Sequence, residues 1–361
     1  MKRSALPLDI IEARLHNQLL SQSKFSQPGE VVSWMGAVQS QDYAGAKWAL
    51  GRRMKDAATD AELDQAFNAG KILRTHVMRP TWHFVTPADI GWMLELTAPR
   101  VRAALAYIDR QLGMDQLTFR RTRSVLEKTL KGNHQLTRAE LAPILSKAGV
   151  PVDGLRLGHL MMHAELGGVV CSGARKGKQF TYALLEERAP QAKTLERDQA
   201  LVELTRRYFR SHGPATAQDF VWWSGLTMTD ARRGIEALGS EFENETVKDQ
   251  TYWFPKSGLG ESSSSAAYLL SNYDEYTVGY TDRSAIFDGA HADKLGSRES
   301  ILTQTLLIDG RVAGTWKRTL KKNEVVIDVA PFTVLNKAQN QAVIAAAREY
   351  GRFLGLPVVL S

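Results

Sequence analysis

Apolar positions along the chain fall into a repeated order: a helical stripe, a turn, a second helical stripe, then two short runs with strand character. The middle copy is the plainest. In Leu136-Thr137-Arg138-Ala139-Glu140 the Thr137 hydroxyl can accept the backbone N–H three residues on while Glu140 reaches back, which opens a helix. That helix is predicted to run to about Lys147 and to stop before Gly149 and Pro151. Leu155, Gly158, Met162 and Leu166 then share a helical face ended by Gly167-Gly168. Val169–Ser172 and Gln179–Leu185 read as strands joined by Gly173-Ala174-Arg175-Lys176-Gly177-Lys178. Helix, turn, helix and a hairpin with a basic tip is the order of a winged helix-turn-helix.

A third copy follows. Asp198–Ser211 reads as an amphipathic helix ended by Gly213-Pro214, Thr216 and Asp219 cap a second through Trp223, and Thr229–Leu238 makes another. The strand pair Glu241–Val247 and Thr251–Phe254 closes it. The first copy is looser, with helices at Leu8–Leu20, from Pro28-Gly29 to about Val38, and at Asp60–Ala69. Ile72–Met78 and Trp82–Val85 flank Arg79-Pro80 as strands, and helices between Pro87 and Leu130 lead into the second copy. Beyond the Gly/Ser-rich stretch Gly258–Ser265 the texture becomes strand-like: Ala267–Leu270, Thr303–Ile308, Val312–Lys317 and Glu324–Val329, with Asp309-Gly310 as a two-residue hairpin turn. A helix from about Asn336 to Phe353 and a strand Pro357–Leu360 finish the chain. The expected class is α+β: three tandem winged helix-turn-helix modules plus a C-terminal β-barrel-like domain. The expected divisions are 1–98 for the first winged helix, 99–190 for linker helices and the second, 191–257 for the third, and 266–361 for the β-rich domain.

Charge sharpens this picture. The chain of 361 residues has a net charge of +7, and residues 1–210 carry 31 lysines and arginines against 21 acids. The remainder carries 15 against 18, so a basic front and mildly acidic back are predicted, as if the front faced a polyanion. A plain solvated surface is the alternative. The single cysteine, Cys171, excludes an intrachain disulfide framework and a Cys-rich zinc site. Neither a signal peptide behind Met1-Lys2-Arg3-Ser4 nor an apolar run of membrane-spanning length is visible, so a cytoplasmic, nucleoid-associated monomer without membrane contact is the expectation.

Several residues carry candidate chemistry. Arg175, Lys176 and Lys178 at the hairpin tip can neutralise phosphates, or simply keep a turn soluble. Gln39-Ser40-Gln41 beside Asp42 gathers amides at what reads as the end of an apolar helix; alone it is a weak signal that reads more simply as a polar helix terminus. Arg79 and His83 are candidates to contact DNA, His83 through a phosphate or a sugar, or else as a structural histidine. Trp82 is core or a stacking platform, and Trp222-Trp223 reads as packing. Arg283 either pairs with Asp274 or reaches the DNA backbone. His159 and His163 lack a third ligand at zinc spacing, so neither metal nor cofactor is expected.

Four dispersed segments together resemble one family. They are Gln39-Ser40-Gln41, Arg79-Pro80-Thr81-Trp82-His83-Phe84-Val85, Asn272-Tyr273-Asp274-Glu275-Tyr276 with Gly279-Tyr280 and Asp282-Arg283-Ser284, and Asp309-Gly310 with Val312-Ala313-Gly314-Thr315-Trp316. In this order they are similar to the winged-helix DNA glycosylases typified by the azinomycin self-resistance enzyme and YcaQ, which act on alkylated and crosslinked DNA. The resemblance implies three winged helices with a β-barrel, and a catalytic Gln-x-Gln that falls on Gln39 and Gln41. The YcaQ branch carries Gln-x-Asp, from which this chain departs, and the middle position, often apolar in the family, is Ser40. The implied substrate is double-stranded DNA bearing cationic N-alkylpurines of the N7-alkylguanine type, interstrand crosslinks among them.

Amides suit that chemistry. An N7- or N3-alkylated purine is already cationic, so its glycosidic bond breaks without a general acid. What remains is to orient water and stabilise an oxocarbenium-like sugar, which an aimed amide oxygen can do. Glutamine has no usable conjugate acid near pH 7, so undamaged bases should be poor substrates. Two other readings stay open on sequence: a non-catalytic regulator or damage sensor on the same modules, and a protein-interaction role for the winged helices.

Overall fold

The structure is a computed structural model that describes residues 9–56, 58–256, 266–291 and 303–361. The expected linker Gly258–Ser265, the N-terminal Met1–Ser4 and Leu8 lie outside the described residues. Helix starts follow local chemistry closely. Thr59, Thr137, Thr216, Thr227 and Asn336 each close a capping box with the side chain three residues on, and each such cap stabilises its helix by about 1 kcal/mol.

The first unit runs α1 (Ile10–Asn17), α2 (Pro28–Met35), β1 (Val38–Gln39), α3 (Tyr43–Gly51), α4 (Asp60–Asn68), β2 (Leu73–His76) and β3 (Trp82–Val85). Its sheet has the order β1-β3-β2, antiparallel throughout. One expectation fails here. The helix read as reaching Val38 stops at Met35, because Gly36 turns to φ +82° and a Cβ there would meet Trp223 at 3.2 Å. Gln39 therefore sits on a strand, not at a helix end.

α5 (Ile90–Gln111) and α6 (Gln116–Leu130) lead to the second unit: β4 (Leu136–Thr137), α7 (Arg138–Lys147), α8 (Arg156–Leu166), β5 (Val170–Ser172), β6 (Thr181–Leu184) and the single turn α9 (Leu185–Arg188). Its sheet is ordered β4-β6-β5. The third unit has α10 (Arg197–His212), α11 (Ala217–Ser224), α12 (Met228–Leu238) and the hairpin β7 (Phe242–Val247) with β8 (Gln250–Pro255). Next come β9 (Ala267–Leu270), α13 (Glu275–Val278), β10 (Thr305–Ile308), β11 (Arg311–Leu320), β12 (Val325–Pro331), α14 (Lys337–Leu354) and β13 (Val358–Leu360). These strands form one sheet, β13-β12-β11-β10-β9, which curls into half a barrel. Asp309 and Gly310 turn between β10 and β11 at φ 50° and 73°; a Cβ on Gly310 would stand 2.3 Å from Ile11.

Two cores meet at the first sheet. On one side Val38 and Phe84 join a cluster that runs through Trp48 and Leu269 to Tyr350 and Phe353. Trp48 meets the Tyr350 ring edge-on at 4.9 Å and donates to the Leu269 carbonyl at 2.6 Å, so Trp48→Ala would cost about 3–5 kcal/mol. On the other side Leu73 and Val85 pack with α5 and the third unit, including Tyr208 and Trp223. Cys171 is fully buried, and burial pushes its thiol up to about 12. No helix among the described residues is long and apolar enough to cross a membrane.

Candidate active site

β1 is an edge strand, and its outer edge is covered by a carboxylate. Ser40 donates its N–H inward to the Trp82 carbonyl at 2.8 Å, so the preceding amide, Gln39 N–H, faces away from β3. It donates to Glu275 Oε1 at 2.7 Å. Glu275 Oε2 accepts from Trp223 Nε1 at 2.9 Å and from His212 Nε2 at 3.3 Å. Burial alone would raise this carboxyl, but the donors from His212 and the Gln39 amide outweigh it and hold Glu275 at about 2.

Glu275 is held by its neighbour. Asp274 caps α13 by accepting the Tyr276 N–H, and takes Arg53 in a fork, 2.9 and 2.7 Å. Arg53 in turn donates to the Gln18 carbonyl at 2.9 Å. Of the two readings of Arg283, the pair with Asp274 is not formed: Asp274 belongs to Arg53, and Arg283 donates its Nε to the Thr277 carbonyl at 2.7 Å.

Directly opposed residues of an antiparallel sheet project to one face, so Gln39, His83 and Thr75 form a cross-strand row. All three are buried, with Gln39 6% exposed. His83 Nδ1 lies 3.0 Å from the Thr81 carbonyl, which can only accept, so Nδ1 carries the proton and Nε2 carries a lone pair. Burial first, then the nearby Arg79 guanidinium, pushes His83 down to about 3, so the ring is neutral. Among the described residues, Gln39 Oε1, His83 Nε2 and Thr75 Oγ1 have no hydrogen-bond partner. Buried polar atoms usually find a partner, and these three lie in a single cross-strand row. Gln41 lies just past the strand and is exposed, its Oε1 3.4 Å from the Trp82 N–H.

Of the residues expected to contact DNA, Arg79 and Arg283 converge on the exposed ring of Trp222, at 5.9 and 5.8 Å from its centroid. Neither has a carboxylate partner among the described residues, and Arg79 Nε and Nη2 and Arg283 Nη2 lack any hydrogen bond. Burial lowers the pKa of both. Trp222 is thus not pure packing, whereas Trp223 is fully buried. His83 departs from its expected role at a phosphate, because it is sealed inside, neutral and beside Gln39.

The hairpin tip differs too. Arg175 folds back rather than projecting: its amide donates to Asn68, its guanidinium covers Tyr43 and Phe180, and it faces Asp64 at 3.7 Å. Lys176 pairs with Glu140, while Lys178 is exposed. His159 and His163 both turn to Asp109, and no metal-ligating cluster occurs among the described residues.

Sequence reasoning missed Glu275 and Thr75. Glu275 stands in a segment that carries the family likeness, but no local spacing ties it to Gln39; Thr75 looks like any strand threonine.

A model of the AlkZ-like DNA glycosylase family matches residues 32–353. Among solved structures, the DNA glycosylase AlkZ of Streptomyces sahachiroi is similar over 98% of this chain and 98% of its own, with a TM-score of 0.79 and 22% sequence identity, a likeness of fold. No curated protein matches the sequence.

Proposed function

The chain belongs to the AlkZ-like DNA glycosylase family, and from that premise we propose that it hydrolyses the N-glycosidic bond of cationic N-alkylpurines in double-stranded DNA, with water held at Gln39. Membership in a glycosylase family sets aside the two non-catalytic alternatives. One observation supports the mechanism most: Gln39 and His83 are directly opposed across the strands, and neither Gln39 Oε1 nor His83 Nε2 has a hydrogen-bond partner among the described residues. Water has two hydrogens to give to such a pair, which leaves its oxygen lone pairs free to attack.

In the proposed step the C1′–N9 bond breaks and its electron pair neutralises the alkylated purine. The water oxygen bonds to C1′, and its proton passes to solvent once the oxygen is positively charged. Gln39 orients the water and stabilises the sugar cation, and the exposed Gln41 carboxamide faces the nucleotide from the strand end. No strong base is required, which suits a site with a neutral His83 and a Glu275 fully engaged in hydrogen bonds.

Arg79 and Arg283 beside Trp222 serve as backbone contacts, with Lys176 and Lys178 as outlying ones. We read each of the three helical units with its small sheet as a winged helix. N7-alkylguanine is the substrate class, interstrand crosslinks among them, and the acting form is a monomer.

The test is base release from N7-methylguanine duplex DNA. The wild type should release the base and the Gln39→Ala/Gln41→Ala double variant should not. No release by the wild type, or equal release by the variant, would end this reading.

A further inference from the structure

Side chains alternate along β2 and β3, so Arg74 and Trp82 project from the sheet face opposite to the Gln39–His83–Thr75 row. Arg74 is only 7% exposed, yet among the described residues it has no ion-pair partner. Glu165, the acid that acts on it most, is taken by His76 Nδ1. Arg74 Nε donates to the Ser40 carbonyl at 3.1 Å. Its guanidinium lies over the rings of Trp82 and Phe180, 4.2 and 4.4 Å from their centroids. The two terminal nitrogens donate to no described residue.

A cavity of about 630 Å³ opens at this point, walled by Arg74, Trp82, Arg138, Lys178, Phe180 and Tyr182 among others, with no acid in its lining. Lys178 is exposed and in no ion pair among the described residues, and Arg138 holds only the Tyr182 hydroxyl, at 3.0 Å. Burial lowers Arg74 to about 10, which leaves it charged at neutral pH.

A nearly buried guanidinium without a counter-ion is costly, and ring faces offset only part of that cost. The open fork matches two oxygens of one phosphate. It would also match the O6/N7 edge of guanine, but alkylation at N7 removes one of those acceptors. Stacking of a base is disfavoured as well, since the guanidinium already covers the Trp82 and Phe180 faces.

We propose that this cavity binds a backbone phosphate of the DNA strand carrying the damaged nucleotide, gripped by Arg74 with Arg138 and Lys178 around it. The proposal rests on the glycosylase reading and deepens it. Arg74 is a positioning residue: through the Ser40 carbonyl, docking of that phosphate fixes the residue between Gln39 and Gln41.

The test measures binding to duplexes holding a tetrahydrofuran abasic analogue, with a neutral methylphosphonate moved one step at a time around it, over a salt series. One methylphosphonate position should weaken the wild type roughly tenfold or more. Arg74→Gln should weaken it similarly, and the two changes together should cost no more than either. The slope of log affinity against log salt should shrink by about 0.9 for each cation lost. Arg74→Lys should restore the slope but not the rate of base release, since a point charge replaces the fork. Should Arg74→Gln fail to fold, Lys178→Ala and Arg138→Ala, both at exposed positions, must still reduce the slope. Unchanged slopes in every variant, or no methylphosphonate position that separates wild type from variants, would overturn the proposal. So would an altered base preference with an unaltered slope, which would make Arg74 a base reader. A wild type that binds as described but releases no alkylpurine would sink the glycosylase reading and leave the phosphate site standing.

Discussion

Oε1 of Glu275 accepts the backbone N–H of Gln39 at 2.7 Å, joining segments 236 residues apart. The bond fixes the unpaired edge of a buried two-residue strand that pairing with β3 secures on one side only. The second oxygen of Glu275 is held by His212 at the end of α10 and Trp223 in α11. Placement of Gln39 therefore depends on the first unit, the third unit and α13 together.

Removal of this carboxylate should be severe. Glu275→Ala leaves the Gln39 amide and the Trp223 indole without their buried acceptor, and we expect a loss of about 3–5 kcal/mol by urea denaturation. Glu275→Gln keeps an acceptor oxygen but loses the charge. A carboxyl held at about 2 against an ordinary 4.5 contributes stability that is present above pH 4.5 and lost as pH falls towards 2. The Gln variant should therefore lose about 3 kcal/mol at neutral pH and show a flatter acid limb. An unchanged acid limb would mean that Glu275 titrates normally.

Much of this architecture could be read from short-range chemistry. Thr137, Thr216 and Asn336 announce their helices, and Asp309-Gly310 announces its hairpin, because caps and turns depend on residues a few positions apart. The site was harder. Val38 continues an apolar run from α2, broken only by Gly36, which turns to φ +82° close against Trp223, far along the chain. Likewise the partners of Arg53 and Arg175 are decided by tertiary packing, so Asp274 goes to Arg53, which rules out one of the two readings of Arg283, and the tip arginine folds inward.

Gln39 and Gln41 should behave differently when changed singly. Gln39→Ala removes the buried acceptor opposite His83, and base release should fall about 10²–10³-fold in kcat. Gln41 is exposed, with one weak contact, so Gln41→Ala should leave stability within about 0.5 kcal/mol. Its activity loss would then be free of any folding contribution. Thermal melts beside single-turnover base release separate the two, and a strongly destabilised Gln41→Ala would contradict the exposure seen here.

Among the described residues, Arg79 and Arg283 form no ion pair with a carboxylate beside Trp222. If both meet phosphates, Arg79→Ala and Arg283→Ala should each reduce the salt slope of DNA binding by about 1 and weaken all sequences alike. Trp222→Ala should lower affinity with little change in slope, since a ring carries no counterion. Fluorescence anisotropy with undamaged duplex is sufficient. A slope unaltered in both arginine variants would place the backbone path elsewhere.

His83 makes the sharpest demand on pH. Buried and pushed down to about 3, its ring stays neutral in the folded chain while the unfolded chain binds a proton near 6.5. The stability that depends on a neutral His83 is complete above pH 6.5 and is lost at about 1.4 kcal/mol per pH unit as pH falls towards 3. His163 and His212 are lowered by burial as well, so they share this limb. His83→Gln should make the limb shallower by one proton, measured as the pH dependence of the urea midpoint. Catalysis should respond differently. Gln39 does not titrate and His83 titrates far below the working range, so single-turnover base release should be flat from about pH 5 to 8. A shoulder near 6.5 that vanishes in His83→Gln would show that the ring takes up a proton during the reaction, and water held by a neutral acceptor pair would then be the wrong picture.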